Sequence, residues 1–319
     1  MRENFWKKLQ KPFFVLAPMA DVTDAAFRRV IAKYGKPDVM WTEFVSADGL
    51  CSPGRKVLLH DLAFTEGERP IVAQLFSSKP DTMRQAAALC QELGFDGIDI
   101  NMGCPDRSIE KQGCGAAMIK NPAAARAVIR AAREGAPNLP ISVKTRIGYN
   151  RNEIATWIPE LLAENLAALT VHCRTRKEMS LVPARWEHIR EVVALRDRLA
   201  PQTLIIGNGD VRDIQDARAR AAEFGADGVM LGRAIFGNPW LFSEKVPTAE
   251  EKLCVMVEHT RLYEKLLGGI KSFALMKKHY KAYVNGFDGA KELRVQLMDC
   301  RDADEVEKRV GEFLKNGLK

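Results

Sequence analysis

The residue most suited to chemistry is Cys104, which stands between Gly103 and Pro105 directly after an apolar run. Glycine and proline interrupt regular structure, so the thiol is predicted to be presented on a turn rather than packed in a core. A free thiol has a pKa of about 8.5, so near neutral pH it is mostly protonated and can donate a proton. A nucleophilic thiolate would need a nearby base or cation, and no histidine flanks Cys104, although one could approach in space. Cys114 is predicted to be a small buried filler before a helix.

Polar residues end nearly every predicted strand, and several of them suit a bound ring or anion. Lys144 can hold an electron-rich ring or form a Schiff base with a carbonyl substrate, and His172 ends the neighbouring strand. Gln74 has a donor group and an acceptor group, which suits an amide–carbonyl edge. Glycines in GNGD and GRAIFGNP let backbone N–H groups approach an anion, and Arg233 can add a charge-assisted bond. Together the segments GNGD and GRAIFGNP indicate a phosphate pocket, although each residue alone is compatible with a structural role.

Short β-branched runs alternate with amphipathic helical patterns up to Trp240. This alternation indicates parallel strands joined by helices, and eight units favour a (β/α)8 TIM barrel over an open doubly wound sheet. In such a barrel the polar strand ends converge on one rim. From about Thr248 the pattern is helical throughout. We therefore predict an α/β fold with a catalytic barrel over residues 1–245 and an all-α domain over residues 246–319. The predicted strands are 13–19, 39–45, 71–76, 97–103, 141–146, 169–174, 204–209 and 228–232.

Composition excludes several classes of protein. No apolar run approaches the roughly 18 residues that a membrane helix needs, and the N-terminus has no apolar signal core. Seven cysteines without a C-x-x-C pair argue against a disulfide framework and against a zinc site. A cytoplasmic monomer without a metal is expected. The net charge is +7, and seven Lys or Arg residues against two acids lie between Lys265 and Arg294, which favours a nucleic-acid partner for the helical domain.

Several stretches taken together resemble the tRNA-dihydrouridine synthase family. The resemblance covers the barrel from about Val15 to Trp240, and the tail segment KHYKAYVNGFDGAKELRVQL resembles the helical domain of that family. It implies a flavin-dependent barrel with a helical RNA-binding domain. The matching stretches of the barrel are APMADVTDAAFR, VAQLF, DGIDINMGCP followed by GAAM, VKTRIGY, VHCRTR, GNGD and GRAIFGNPW.

The resemblance also implies a cofactor, FMN, with the isoalloxazine ring at one end of the site and the ribityl phosphate at the other. The residues implied along or against the ring are Pro18, Met19, Ala20, Gln74 and Lys144, with His172 near both flavin and base. The residues implied at the phosphate end are Asn208, Gly209, Asp210, Gly232 and Arg233.

The implied reaction is the reduction of tRNA uridines to 5,6-dihydrouridine. Reduced flavin gives a hydride to carbon 6, Cys104 gives a proton to carbon 5, and NADPH regenerates the flavin. Asn101 would position the uracil, and Arg146 and Arg174 would meet tRNA phosphate or the base. In the tail, spacings of seven and three place three lysines on one face of a continuous helix that would bind tRNA phosphates. These lysines are Lys271, Lys278 and Lys281.

Two features depart from the family pattern. The segment KEMSLVPARW replaces the more usual aromatic and glycine before Ala-x-Trp, and Cys173 stands where glycine is usual. Three other functions remain compatible with some of the residues. They are a small-molecule FMN barrel of the dihydroorotate dehydrogenase type, a Schiff-base aldolase that uses Lys144, and a non-catalytic RNA-binding protein built on a barrel.

Overall fold

Eight parallel strands form the central sheet of the computed structural model, which describes residues 4–315. The ends of the two predicted domain ranges, residues 1–3 and 316–319, lie outside the described residues. The sheet order is β1-β8-β7-β6-β5-β4-β3-β2, and a parallel bridge between Val15 and Val39 brings the two edge strands together. The predicted (β/α)8 barrel is therefore confirmed. The strands are β1 (Phe13–Leu16), β2 (Met40–Ser46), β3 (Ile71–Phe76), β4 (Gly97–Met102), β5 (Ile141–Arg146), β6 (Ala168–His172), β7 (Leu204–Asn208) and β8 (Gly228–Leu231).

Helices follow the strands and then continue alone after β8. The α-helices are α1 (Ala25–Tyr34), α2 (Ala47–Leu50), α3 (Arg55–Leu58), α4 (Pro80–Glu92), α5 (Arg107–Glu110), α6 (Pro122–Gly135), α7 (Ile154–Leu162), α8 (Glu187–Leu199), α9 (Ile214–Phe224), α10 (Ala249–Leu267), α11 (Lys277–Tyr283), α12 (Ala290–Asp299) and α13 (Ala303–Lys315). Short 3-10 helices cover Phe5–Lys8, Glu66–Glu68, Gly115–Lys120, Arg233–Ile235, Leu241–Ser243 and Phe273–Met276.

Local sequence explains where the barrel helices begin and end. Asp24 caps α1 by accepting a hydrogen bond from the backbone N–H of Phe27 at 2.9 Å, and Asp213 caps α9 in the same way through Asp216. Gly225 ends α9 in the left-handed conformation, with φ of 76°, which a glycine adopts without strain. The two aspartate caps fix where α1 and α9 begin, and Gly225 fixes where α9 ends before β8.

The helices α10 to α13 pack around a second apolar core that is distinct from the barrel core. Tyr263, Tyr280 and Leu297 are among its fully buried side chains. This core is continuous with Val30 of α1 and with Trp240, so the helical region is packed onto the outside of the barrel. The capping box of Thr248 and Glu251 starts α10, in agreement with the predicted change of pattern.

The predicted continuous helix from Lys271 to Lys281 is wrong. Helix α10 ends at Leu267 because Gly268 and Gly269 follow, and Gly269 has φ of 78°. A 3-10 helix and then α11 carry the chain onward, so Lys271 lies in a separate turn. Its ammonium lies 2.8 Å from a carboxylate oxygen of Glu43 and 2.9 Å from one of Asp61. Lys271 therefore does not belong to an exposed basic face.

None of the helices in residues 4–315 combines the length and apolar character that crossing a bilayer needs. Within the same described range, no three His, Cys, Asp or Glu side chains converge on a candidate metal site.

Candidate active site at the carboxyl rim of the barrel

A cavity of about 230 Å³ opens at the carboxyl ends of β1 and β5 to β8. All the predicted cofactor residues line this cavity except Ala20, which is exposed in the turn after β1, and Gln74, which is buried in β3. Arg174 also lines it. The lining residues are Ala17, Pro18, Met19, Lys144, His172, Arg174, Ser180, Asn208, Gly209, Asp210, Val211, Met230, Gly232 and Arg233. The strand-end residues that are distant in sequence are thus brought to one place.

At one side of the cavity, Asp210 joins two arginines. One carboxylate oxygen lies 2.6 Å from Nη2 of Arg233, and the other accepts hydrogen bonds from Arg174 and from the backbone N–H of Ala184. Burial acts to raise the pKa of Asp210, but the hydrogen bonds from Arg174 and Ala184 outweigh it and lower that pKa. The Arg233 side chain remains 68% exposed, so its guanidinium has donors available to an anion at the cavity mouth.

The two glycines at this side, Gly209 and Gly232, differ in the room they leave for a side chain. A Cβ at Gly209, whose φ is 127°, would come within 2.7 Å of the Cβ of Ala184. At Gly232 a Cβ would meet Ala17 and Met19 at 3.6 and 3.8 Å, which are ordinary contact distances. Gly209 is therefore required by the backbone and by the close approach of Ala184, whereas a methyl group at Gly232 would fit in ordinary contact with Ala17 and Met19.

Lys144 is half-buried at the carboxyl-terminal part of β5 and donates a hydrogen bond to Oδ1 of Asn208 at 3.1 Å. The amide of Asn208 is oriented by its own bond from Nδ2 to the carbonyl of Met230, 2.8 Å away. Burial, followed by repulsion from Arg146, lowers the pKa of Lys144 to about 8. The ammonium is thus mostly charged near neutral pH and has two further N–H donors.

His172 is held neutral beside these cations. Burial and the positive charges of Arg146, Lys144 and Arg174 lower its pKa well below the ordinary value. Nη1 of Arg174 lies 3.1 Å from Nε2 of His172, and because a guanidinium can only donate, Nε2 accepts. The ring proton is consequently on Nδ1.

The turn that carries Cys104 is held by Asn101 at the end of β4. Oδ1 of Asn101 accepts the backbone N–H of Gly103 at 3.1 Å and that of Cys104 at 3.0 Å. Gly115 packs against the same turn with φ of 59°, and a Cβ there would lie 2.6 Å from the carbonyl oxygen of Cys104. Burial raises the pKa of the Cys104 thiol, so the thiol stays protonated near neutral pH. Cys114 is buried, as predicted.

Arg146 and Arg174 are both bound within the protein. Arg146 is 7% exposed and donates to the carbonyls of Gly103 at 2.8 Å and Met179 at 2.9 Å. Arg174 is 3% exposed and donates to the carbonyl of Val182 at 2.6 Å as well as to His172 and Asp210. The two arginines therefore shape the loop with the unusual sequence KEMSLVPARW and tie it to the thiol turn.

Two residues of this site were not singled out from the sequence. Asp99 is fully buried in β4 and accepts a hydrogen bond from Gln74, and Gly115 supports the turn of Cys104. The glycine pattern G-C-G around Cys114 was a usable signal for the second residue. Nothing in the local sequence distinguishes Asp99 from an ordinary strand-flanking acid. Elsewhere, Lys278 and Lys281 are exposed on α11, as the prediction of a basic helical surface requires.

A sequence model of the family described as dihydrouridine synthase (Dus) matches residues 15–317. The chain belongs to this family. It is 43% identical to the probable tRNA-dihydrouridine synthase 2 of Bacillus subtilis (strain 168), over 100% of this chain and 99% of that protein. It is 42% identical to the probable tRNA-dihydrouridine synthase of Staphylococcus aureus (strain COL), over 98% of this chain and 96% of that protein.

Solved structures with lower identity share the fold of this dihydrouridine synthase family member. Morphinone reductase in complex with tetrahydroNAD is 16% identical, with a TM-score of 0.50, over 73% of this chain and 86% of that one. Histamine dehydrogenase from Rhizobium sp. 4-9 is 12% identical, with a TM-score of 0.52, over 78% of this chain and 48% of that one. At these identities the likeness shows the barrel fold alone.

Proposed function

We propose that this protein reduces uridines of tRNA to 5,6-dihydrouridine, with FMN as its bound cofactor and NADPH as the electron donor. The observation that carries the proposal is the thiol of Cys104, which is kept protonated by burial on a turn at the barrel rim. Support for the substrate comes from the relatives, which are named as probable tRNA-dihydrouridine synthases and align over nearly the whole chain. A cytoplasmic monomer without a metal remains part of this proposal.

The residues present fit an FMN molecule. Lys144 offers a charged ammonium within the cavity, Arg233 offers an exposed guanidinium, and Gly209 and Gly232 place no side chain between them. An anionic ring system and a phosphate are the groups that such donors bind. The remaining residues proposed for the cofactor are Pro18, Met19, Ala20, Gln74, His172, Asn208 and Asp210. When bound, FMN supplies the hydride for carbon 6 of the uracil ring.

The residues of this chain supply the proton and the position of the base. We assign Cys104 as the general acid that protonates carbon 5, since its thiol is neutral and lies on the turn held by Asn101. Nδ2 of Asn101 donates one of its two protons to Gln74, which leaves the other for a uracil carbonyl. Neutral His172, with its proton on Nδ1, can donate a hydrogen bond without adding charge.

The RNA must deliver a uridine out of its fold and into the barrel mouth, which is a base-flipping problem. We propose that the helical region supplies phosphate contacts through the exposed Lys278 and Lys281. We propose that Arg146 and Arg174 contact the base or a phosphate. They would use the guanidinium N–H groups that are not engaged in the hydrogen bonds to the loop. Family membership weighs against the aldolase, the small-molecule barrel and the non-catalytic protein.

The test compares Cys104→Ala with Cys114→Ala, a matched change at a buried thiol. We expect Cys104→Ala to keep its flavin and its reduction by NADPH, and to form dihydrouridine about 10² to 10⁴-fold more slowly. Cys114→Ala should stay close to wild type. Flavin content is read from the absorption spectrum and dihydrouridine from nucleoside mass spectrometry of tRNA. Full tRNA reduction by Cys104→Ala would end the assignment of the acid.

A further inference from the structure

Asp99 is a fully buried acid in the interior of the barrel, and its partners are polar rather than apolar. It lies in β4, in register with Gln74 of β3 and Ser142 of β5. Its two oxygens accept hydrogen bonds from Nε2 of Gln74 and Oγ of Ser142, each at 2.6 Å. A buried carboxylate is costly, so its retention here calls for an explanation in terms of what it orders.

Four hydrogen bonds connect this carboxylate to the turn of Cys104. Gln74 donates to Asp99, and Oε1 of Gln74 accepts Nδ2 of Asn101 at 3.2 Å. Oδ1 of Asn101 then accepts the backbone N–H groups of Gly103 and Cys104. The bonds form one unbroken chain from the barrel interior to the thiol turn, which we call the amide relay: Asp99, Gln74, Asn101 and the turn of Cys104.

The polarity of the amide relay is fixed at both ends. A carboxylate can only accept, so Gln74 must turn its NH₂ group toward Asp99 and its oxygen toward Asn101. The backbone N–H groups of the turn can only donate, so Asn101 must present its oxygen to them. The two requirements agree only when the amides are oriented as observed. A flipped Gln74 would put two donors against each other at Asn101 and two acceptors against each other at Asp99.

We propose that Asp99 is a positioning residue that orients the two amides of the relay and thereby holds the turn on which Cys104 is presented. The functional part of this proposal rests on the proposed function, in which Cys104 is the acid. Its structural part concerns this chain alone and can be measured in protein without flavin.

The experiment follows hydrogen exchange of the Gly103 and Cys104 amides in flavin-free protein, by mass spectrometry with fragmentation. Asp99→Leu removes the acceptor at a similar volume, and we expect these two amides to exchange about tenfold faster. Asp99→Asn should stay close to wild type. Its oxygen can accept from Gln74 while its NH₂ faces Ser142, whose hydroxyl can turn toward the carbonyl of Ile98, 3.4 Å away.

Ser142→Ala is the matched control, because it removes a bond to Asp99 in the same layer but leaves the bond from Gln74. It should leave both amides unchanged. If Ser142→Ala accelerates their exchange as much as Asp99→Leu does, packing of the layer is responsible and the proposal fails. It also fails if Asp99→Leu leaves their exchange unchanged, or if Asp99→Asn accelerates it to the same extent. Should Asp99→Leu not fold, Gln74→Met breaks the relay at its middle, and unchanged exchange there would overturn the proposal equally.

A second readout separates this inference from the proposed function. With tRNA as substrate, Asp99→Leu should lower kcat for dihydrouridine formation by about tenfold or more, while flavin reduction by NADPH changes little. Faster amide exchange with an unchanged kcat would show that the relay holds the turn without serving the reaction, and would overturn the positioning role. A wild-type protein that forms no dihydrouridine would instead refute the proposed function and leave the exchange result standing.

Discussion

Replacing Lys271 by methionine is expected to destabilise the protein at neutral pH. The ammonium of Lys271 comes from the turn after α10 and is 16% exposed between the carboxylates of Glu43 and Asp61. Glu43 is 6% exposed and also accepts the backbone N–H of Asp21 at 2.5 Å, in the turn that follows β1 and the cavity-lining Pro18 and Met19. Burial opposes the charged form of Lys271, but attraction to Glu43 and Asp61 raises its pKa overall.

The expected loss can be estimated from the burial of the three groups. Removing one partner of a fully buried ion pair costs about 3 to 5 kcal/mol, because the other charge is left uncompensated. Asp61 is 21% exposed, so solvent can compensate it in part. We therefore expect Lys271→Met to lower the free energy of unfolding by about 2 to 3 kcal/mol at pH 7.5, which is at or below the lower limit for a fully buried pair.

The pH dependence has a definite sign. Burial raises the pKa of Glu43 even with the lysine in place, and without it that pKa rises further. A carboxyl group whose pKa is higher in the folded state binds protons more tightly there, so folding is favoured as the pH falls. The loss in free energy of unfolding caused by Lys271→Met should consequently become smaller as the pH is lowered from 7.5 to 5.

Urea denaturation at both pH values measures this effect, with Lys278→Met as the matched control on an exposed lysine. The control should change the free energy of unfolding by less than about 0.5 kcal/mol. Adding Glu43→Gln to Lys271→Met should restore part of the loss, because the uncompensated carboxylate is removed while an oxygen remains for Asp21. Equal stability of Lys271→Met and Lys278→Met at pH 7.5 would refute the reasoning.

Three further predictions concern the cofactor, the RNA and the joint between barrel and helices. Arg233→Ala should lower FMN retention after gel filtration more than it lowers the rate in excess FMN, and equal flavin content would count against a phosphate contact. Changing Lys278 and Lys281 to Glu should weaken tRNA binding and flatten the slope of log affinity against log salt by roughly 0.7 to 0.9 per lost contact. An unchanged slope in filter binding would place the RNA elsewhere. Burial lowers the pKa of His279 to about 3 and that of His259 well below its ordinary value. Because the unfolded chain then binds protons more tightly than the folded one, the free energy of unfolding falls as the pH drops below about 6.5. His279→Phe should remove about 2 kcal/mol of the loss between pH 7.5 and 5, and an identical pH profile for variant and wild type would contradict this account.

The order and type of the barrel elements were predictable because each strand is a short apolar run bounded by polar or turn residues. Strands Ile71–Phe76 and Ile141–Arg146 have the predicted bounds. The first strand was predicted to end at residue 19 but ends at Leu16, close to Pro18, which has no N–H to donate to a neighbouring strand. Strand ends depend on ladder bonds to other strands, and a run of apolar residues carries no information about those bonds.

The location of the candidate site was also predictable, since polar strand ends in a parallel barrel must meet at one rim. The pairings within the site were not. Arg174 bonds to Asp210, which is 36 residues away, and Gln74 bonds to Asp99, which is 25 residues away. Such pairings depend on strand register and on which face each residue occupies. A single-residue shift in register would turn Asp99 out of the barrel interior and remove the relay.

Lys271 shows why charge counts in a sequence overstate a binding surface. The spacing from Lys271 to Lys278 and Lys281 suits one helix face only if the helix is continuous. Lys271 instead lies in a turn, a 3-10 helix covers Phe273–Met276, and α11 begins only at Lys277. Once the turn is in place, Lys271 points back to acids of the barrel that are more than 200 residues earlier in the chain, and its charge is neutralised there. Part of the positive charge of the tail therefore forms ion pairs that attach it to the barrel. The charge that remains exposed on this segment is smaller than its composition indicates.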